Sequence, residues 1–178
     1  MLPGIKLFDL TGRVAIITGG SKGLGSAMAE GLASAGADLL LTSRNQDEVE
    51  ATAAQIQSDY GNKVIGMAAD VTDPDQVAAM TERAISEFGK IDILINNAGI
   101  NIRGPIDEIT LEEFQDVQNV NVTGPWLCVR SVVPHMKKAQ YGKIINLAST
   151  LGLVGMSNRT PYTSSKGAMV QMTRALGL

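Results

Sequence analysis

Tyr162 and Lys166 stand four residues apart in a stretch, 161–176, with the pattern of a helix. Positions i and i+4 share a helix face, so a phenol and an ammonium would point into one cleft. A phenol with a pKa near 10 is a poor base at pH 7. An adjacent ammonium favours the phenolate and pulls that value toward neutrality, which would make Tyr162 a general acid/base. Ser149 lies thirteen residues before Tyr162, just after an apolar run, and offers a hydroxyl to hold a substrate oxygen beside the phenol. Such chemistry needs neither a metal nor a histidine. The bland reading of Tyr-x-x-x-Lys is a half-buried tyrosine beside a surface lysine.

A second cluster sits near the N-terminus. Thr18-Gly19-Gly20-Ser21-Lys22-Gly23-Leu24-Gly25 follows an apolar run and opens a helix-like one. A helix N-terminus with free N–H groups and the positive end of its dipole is an anion site. Glycines at 19, 23 and 25 would let a pyrophosphate approach the backbone and let the helix pack on the strand. The spacing is G-x-x-x-G-x-G rather than the general G-x-G-x-x-G; the other reading is a tight strand–helix turn. The second apolar run ends in Thr42-Ser43-Arg44-Asn45. An NAD site normally has an acid there for the ribose 2′-hydroxyl. Ser43 and Arg44, with Lys22 in the loop, favour NADP (NADPH) over NAD, because a guanidinium can take a 2′-phosphate bidentately. A solvated arginine at a strand end is the alternative. Asp70 could accept from an adenine amino group with Val71 against the ring, or could supply N-terminal charge to the next helix. Asn96-Asn97-Ala98-Gly99 follows the fourth apolar run, where small residues would let backbone pass close to a cofactor.

The elements that must position these residues are legible in the apolar pattern. Continuous apolar, β-branched runs cover 13–18, 38–42, 63–68, 91–96 and 143–148, as in parallel strands buried on both faces. Helical patterns cover 23–35, 47–60, 74–88, a long stretch from about 111 to 138, and 161–176. Asp73-Pro74 is an N-cap before a proline at the first helical position. Thr110 with Glu113 is a capping box. Gly36, Gly61 and Gly89 suit left-handed positions after helices. Pro125 and Pro134 are expected to interrupt the long helix, either one kinking it. Strand–helix alternation predicts an α/β fold, a doubly wound parallel sheet of Rossmann type, in a single domain over 1–178.

Composition closes off other classes. The chain has 178 residues, Lys+Arg 15 against Asp+Glu 18, and a net charge of −3. That leaves no basic excess for nucleic acid. One cysteine, Cys128, and one histidine, His135, exclude internal disulfides and ordinary Cys/His zinc sites. No apolar run has the length of a membrane span, and the opening lacks the centre of a signal peptide. A cytoplasmic location is the expectation. Cys128 reads as core filler, His135 as a structural or surface residue, and Met156 as a side chain able to face substrate.

Together these motifs resemble the short-chain dehydrogenase/reductase family. Residues 18–25 look like its cofactor loop and 96–99 like its strand-four motif. Asn121, Ser149, Tyr162 and Lys166 match its catalytic tetrad in order and spacing. The resemblance implies hydride transfer between NAD(P) and a small alcohol or ketone. It implies that Lys166 lowers the Tyr162 pKa and binds the nicotinamide ribose, that Ser149 orients the substrate oxygen, and that Asn121 holds a water for proton relay. It also implies cofactor contacts from Gly19, Ser21, Lys22, Gly23, Leu24, Gly25, Ser43, Arg44, Asn45, Asp70, Val71, Asn97, Ala98, Gly99, Tyr162 and Lys166. Family members run to about 250 residues and assemble as homo-dimers or homo-tetramers. The sequence ends at Leu178, inside the Tyr–Lys helix, so the last two strands implied by the resemblance have no counterpart in it. The segments 7–12 and 159–162 are similar to sugar-acid dehydrogenases of the gluconate 5-dehydrogenase kind. The alternatives are a 3-oxoacyl-carrier-protein reductase and a non-catalytic nucleotide-binding fragment.

Overall fold

The computed structural model describes residues 4–177, without the side chain of Ile5. Five parallel strands form one sheet: β1 (Val14–Thr18), β2 (Asp38–Ser43), β3 (Val64–Ala68), β4 (Ile93–Asn96) and β5 (Lys143–Asn146), in the order β3-β2-β1-β4-β5. Between them run α1 (Gly23–Ser34), α2 (Gln46–Tyr60), α3 (Pro74–Phe88), α4 (Leu111–Gln118), α5 (Gly124–Ala139) and, after β5, α6 (Thr160–Leu176). Side chains alternate across a strand, and the register sorts them into two cores. Ile17, Leu41 and Ile95 pack on one face with Ala29 and Ala33 of α1 and Ala53 and Ile56 of α2. Ile16, Leu40 and Leu94 pack on the other with Val77 and Met80 of α3 and Cys128 and Val132 of α5. Burial pushes the Cys128 thiol up to about 12, so it acts as an inert apolar filler. The sheet is doubly wound, as the apolar runs predict.

The last strand is the least covered of the five. Residues of β5 alternate between exposed and half-buried instead of being covered on both faces. Ile144 reaches the α3/α5 core. Ile145, paired in register with Ile95 on the α1/α2 side, remains 48% exposed. β5 is the edge of the described sheet.

Helix ends follow their local chemistry. Asn45 caps α2, Asp73 caps α3 just ahead of Pro74, and Gly61 and Gly89 terminate these helices in the left-handed conformation. Thr110 and Glu113 form the reciprocal capping box of α4. Thr110→Ala is expected to lower unfolding stability by about 1 kcal/mol, read as a lower urea midpoint with unchanged slope.

The long helix is broken by one turn of π-helix over Asn119–Thr123 rather than by a simple kink. Pro125 has no N–H to give the carbonyl of Asn121, and the N–H of Gly124 reaches back five residues to the Asn119 carbonyl. A Cβ on Gly124 would stand 2.7 Å from Val71 Cγ2, so only glycine lets this turn approach the end of β3 so closely. Pro134 lies inside α5, which runs through it without a break.

Candidate active site

The strand order reverses direction between β1 and β4, and the carboxyl ends of the strands open there into a cleft of about 560 Å³. Ligands of open α/β sheets bind at such a switch point. From the β1–α1 loop, Gly19, Ser21, Lys22 and Leu24 line the cleft; from the end of β2, Ser43, Arg44 and Asn45 do so. Asp70 and Val71 enter from β3, and Asn97, Ala98 and Gly99 from β4.

Asn97 holds the floor together. Its Nδ2 donates to the carbonyls of Thr18 and Gly19, both at 3.0 Å, while Thr18 Oγ1 accepts from the N–H groups of Asn97 and Ala98. A Cβ on Gly19 would lie 2.9 Å from Asn97 Nδ2, and one on Gly25 would run into the Gly19 carbonyl. Gly23 meets nothing within 4 Å but holds φ +60°, a conformation that favours glycine. Gly23 and Gly25 thus shape the loop without lining the cleft. Unlike α2, α3 and α4, helix α1 has no side-chain cap. Its first-turn N–H groups are left for an anion to satisfy. A loop kept this compact by its glycines, with no competing side-chain cap, fits a dinucleotide pyrophosphate.

The side chains around the cleft divide into engaged and free. Ser43 Oγ donates to the Asn45 carbonyl at 2.9 Å, and Asn45 accepts from the Glu48 N–H. Arg44 is exposed and forms no ion pair or side-chain hydrogen bond among the described residues. Lys22 Nζ lies 3.3 Å from Glu48 Oε2, which also accepts from Ser21 Oγ at 3.5 Å. Asp70 accepts from the N–H and hydroxyl of Thr72, both at 2.8 Å. It does not cap α3; that role belongs to Asp73.

A second cluster gathers where β5 and α6 meet the π-turn. Asn121, 1% exposed, accepts from the Ile100 N–H at 2.8 Å and donates to the Ile100 carbonyl at 2.9 Å and to Ser165 Oγ at 3.0 Å. Ser165 in turn donates to the Tyr162 carbonyl at 2.7 Å. One amide therefore ties the loop after β4, the π-turn and α6 together. Lys166 is 6% exposed; its ammonium donates to the Leu147 carbonyl and stands 5.6 Å from the centre of the Tyr162 ring. Burial pushes the Lys166 pKa down. Ser149 opens a short 3₁₀ turn, its Oγ accepting from the Leu151 N–H at 3.2 Å. The Tyr162 hydroxyl makes no hydrogen bond to a described residue, so both its proton and its lone pairs are available.

Asn121, Tyr162 and Lys166 are joined in this network, and Ser149 stands on the turn packed against α6. Tyr162 and Lys166 do not line the cleft itself; Ile100 and Val120 form its boundary on their side. Those two, with Ala69 and Glu48, are lining residues that the sequence reading did not single out. Glu48 had a signal, as an acid three residues past the Asn45 cap, but its reach across to Lys22 is tertiary. No cluster of His, Cys, Asp and Glu suited to a metal exists among the described residues, and no described helix is long and apolar enough to cross a membrane.

The chain is similar to known proteins over most of its length. The chain is 34% identical over 171 residues to the 2-dehydro-3-deoxy-D-gluconate 5-dehydrogenase of Formosa agariphila, covering 96% of this chain and 64% of that protein. It is 35% identical to the gluconate 5-dehydrogenase of Gluconobacter oxydans, covering 96% and 66%. The chain thus spans about two thirds of the length of the curated relatives it matches. A solved structure of NAD+-bound xylitol dehydrogenase superposes with a TM-score of 0.91 at 32% identity, over 94% of this chain and 64% of that one. The family model described as short chain dehydrogenase matches residues 13–178, from the first strand through the Tyr–Lys helix. With the parallel sheet, the glycine loop and the tetrad positions all inside that match, the chain belongs to the short-chain dehydrogenase family.

Proposed function

We propose that this protein is an NADP-dependent oxidoreductase that interconverts a small secondary alcohol and its ketone. The observation that carries this reading is the free Tyr162 hydroxyl with the Lys166 ammonium 5.6 Å from its ring, on the helix beside the cleft. A bound nicotinamide supplies or accepts the hydride. Tyr162 gives a proton to the substrate oxygen on reduction and takes it back on oxidation. The Lys166 ammonium favours the phenolate. Ser149 holds the substrate oxygen next to the phenol. Asn121 keeps the loop after β4 and α6 in register, so the two catalytic side chains and the cleft stay aligned. The sugar-acid names among the relatives support polar, hydroxylated substrates.

NADP is supported by Ser43 in place of an acid and by the unpaired Arg44 at the cleft edge. Glu48 favours the opposite reading, because its carboxylate engages Lys22 where a 2′-phosphate would need positive charge. Arg44→Ala decides between them. It is expected to weaken NADPH by ~1.5–3 kcal/mol, the range for a charged hydrogen bond, and to leave NADH nearly unchanged. Equal effects on both cofactors, measured by fluorescence titration, would show that Arg44 does not read the 2′-phosphate. Turnover of NADPH with a panel of ketones, in the full-length protein, tests the activity itself.

A further inference from the structure

Beyond the first cleft lies a separate opening of about 510 Å³, lined by Arg103, Gly104, Met156, Ser157, Asn158 and Arg159. It is built where two loops cross. Arg103 stands on the segment leaving Ile100, the residue held at both backbone groups by Asn121. Arg159 is the residue immediately before α6, one turn ahead of Tyr162. The loops are joined by a hydrogen bond from the Gly104 N–H to the Asn158 carbonyl at 3.3 Å. Asn158 adopts φ +58°, a left-handed conformation that asparagine tolerates better than most residues, and so turns the chain into α6.

The electrostatics of this opening are one-sided. Lys22, Lys63, Arg83, Lys90 and Arg13 are each paired with a carboxylate. Arg103 and Arg159, like Arg44, have no ion pair and no side-chain hydrogen bond among the described residues, and unlike Arg44 they share one opening. No Asp or Glu lines the opening. Two guanidiniums left without acceptors in one concavity are matched by a carboxylate, which such forks bind bidentately. Met156 offers an apolar wall beside them for a carbon skeleton.

We infer that Arg103 and Arg159 form an anion subsite that takes the carboxylate of a hydroxy-acid or keto-acid substrate. The inference rests on the reading above, in which the substrate's reacting oxygen lies at Tyr162. Arg159 stands three residues ahead of Tyr162 at the start of α6, which places the subsite and the reacting oxygen at the same end of that helix.

The test uses matched pairs with one carbon skeleton, D-gluconate against D-sorbitol and D-threonate against D-threitol, on the full-length protein. The acids are expected to exceed the neutral polyols at least tenfold in kcat/KM. Arg103→Ala and Arg159→Ala are each expected to lower kcat/KM for the acids roughly 10-fold through KM, leaving the polyols within about threefold. Arg103→Lys and Arg159→Lys should recover part of the loss, and NADPH affinity should not change. Acids no better than polyols, or alanine variants that keep the preference, would overturn the subsite while leaving the oxidoreductase reading intact. Preference for a phosphorylated polyol over the acid would overturn the carboxylate assignment. Absence of turnover on every compound overturns the activity instead. Calorimetric binding of D-gluconate, lost in the double alanine variant, would then still support the subsite, and its absence in the unmodified protein would overturn it.

Discussion

Tyr162→Phe is expected to lower turnover by about 10²–10⁴-fold, the usual worth of a positioned general acid/base, and to leave NADPH affinity within a factor of about two. The substitution removes one oxygen and keeps the ring. That ring sits half-buried on α6, and the hydroxyl it loses makes no hydrogen bond to a described residue, so no structural hydrogen bond is broken. Steady-state kinetics combined with fluorescence titration separates the two effects. A variant that turns over near the unmodified rate would remove Tyr162 from the chemistry.

Gly152→Ala is expected to produce the second largest effect, although residue 152 carries no reactive group. A Cβ at this position would stand 2.6 Å from the carbonyl oxygen of Lys166, 2.8 Å from its carbonyl carbon and 3.2 Å from Val170 Cγ2. Backbone of a helix cannot yield locally, so either α6 or the 3₁₀ turn over Thr150–Gly152 must move away. Ser149 sits at the start of that turn, and Tyr162 and Lys166 lie on the helix. The two halves of the proposed site therefore separate. A displacement of ~1 Å can cost about 10²-fold in rate. The loss is expected in kcat rather than in NADPH affinity, because the glycine loop and its Asn97 lock are untouched. Kinetics alongside circular dichroism checks this, and an unchanged kcat in a folded variant would show that the contact relaxes without moving the site.

Much of the fold was legible because its signals are local. The apolar runs gave all five strands within a few residues of their ends. Asp73-Pro74, Thr110 with Glu113, and the glycines at 61 and 89 mark helix boundaries through hydrogen bonds made within a turn. Local signals end where partners are distant. Pro125 signalled an irregular helix, but the π-turn depends on Gly124 packing against Val71 in the turn after β3. Arg103 and Arg159 are far apart in the chain, and only the Gly104–Asn158 hydrogen bond brings their loops together. Asn121 is the clearest case: its position matched a motif, yet its bonds to Ile100 and Ser165 emerge only from three elements meeting.

The central claim is direct hydride transfer at a site where Tyr162 handles the proton, and the fate of one labelled hydrogen tests it most directly. The full-length protein is incubated with a polar ketone and NADPH carrying deuterium at the transferable C4 position, and the alcohol formed is examined by NMR. The account predicts a single deuterium on the carbinol carbon, with the hydroxyl proton drawn from solvent, and product formation suppressed in Tyr162→Phe. Alcohol formed without the label, or formed equally by Tyr162→Phe, would contradict it.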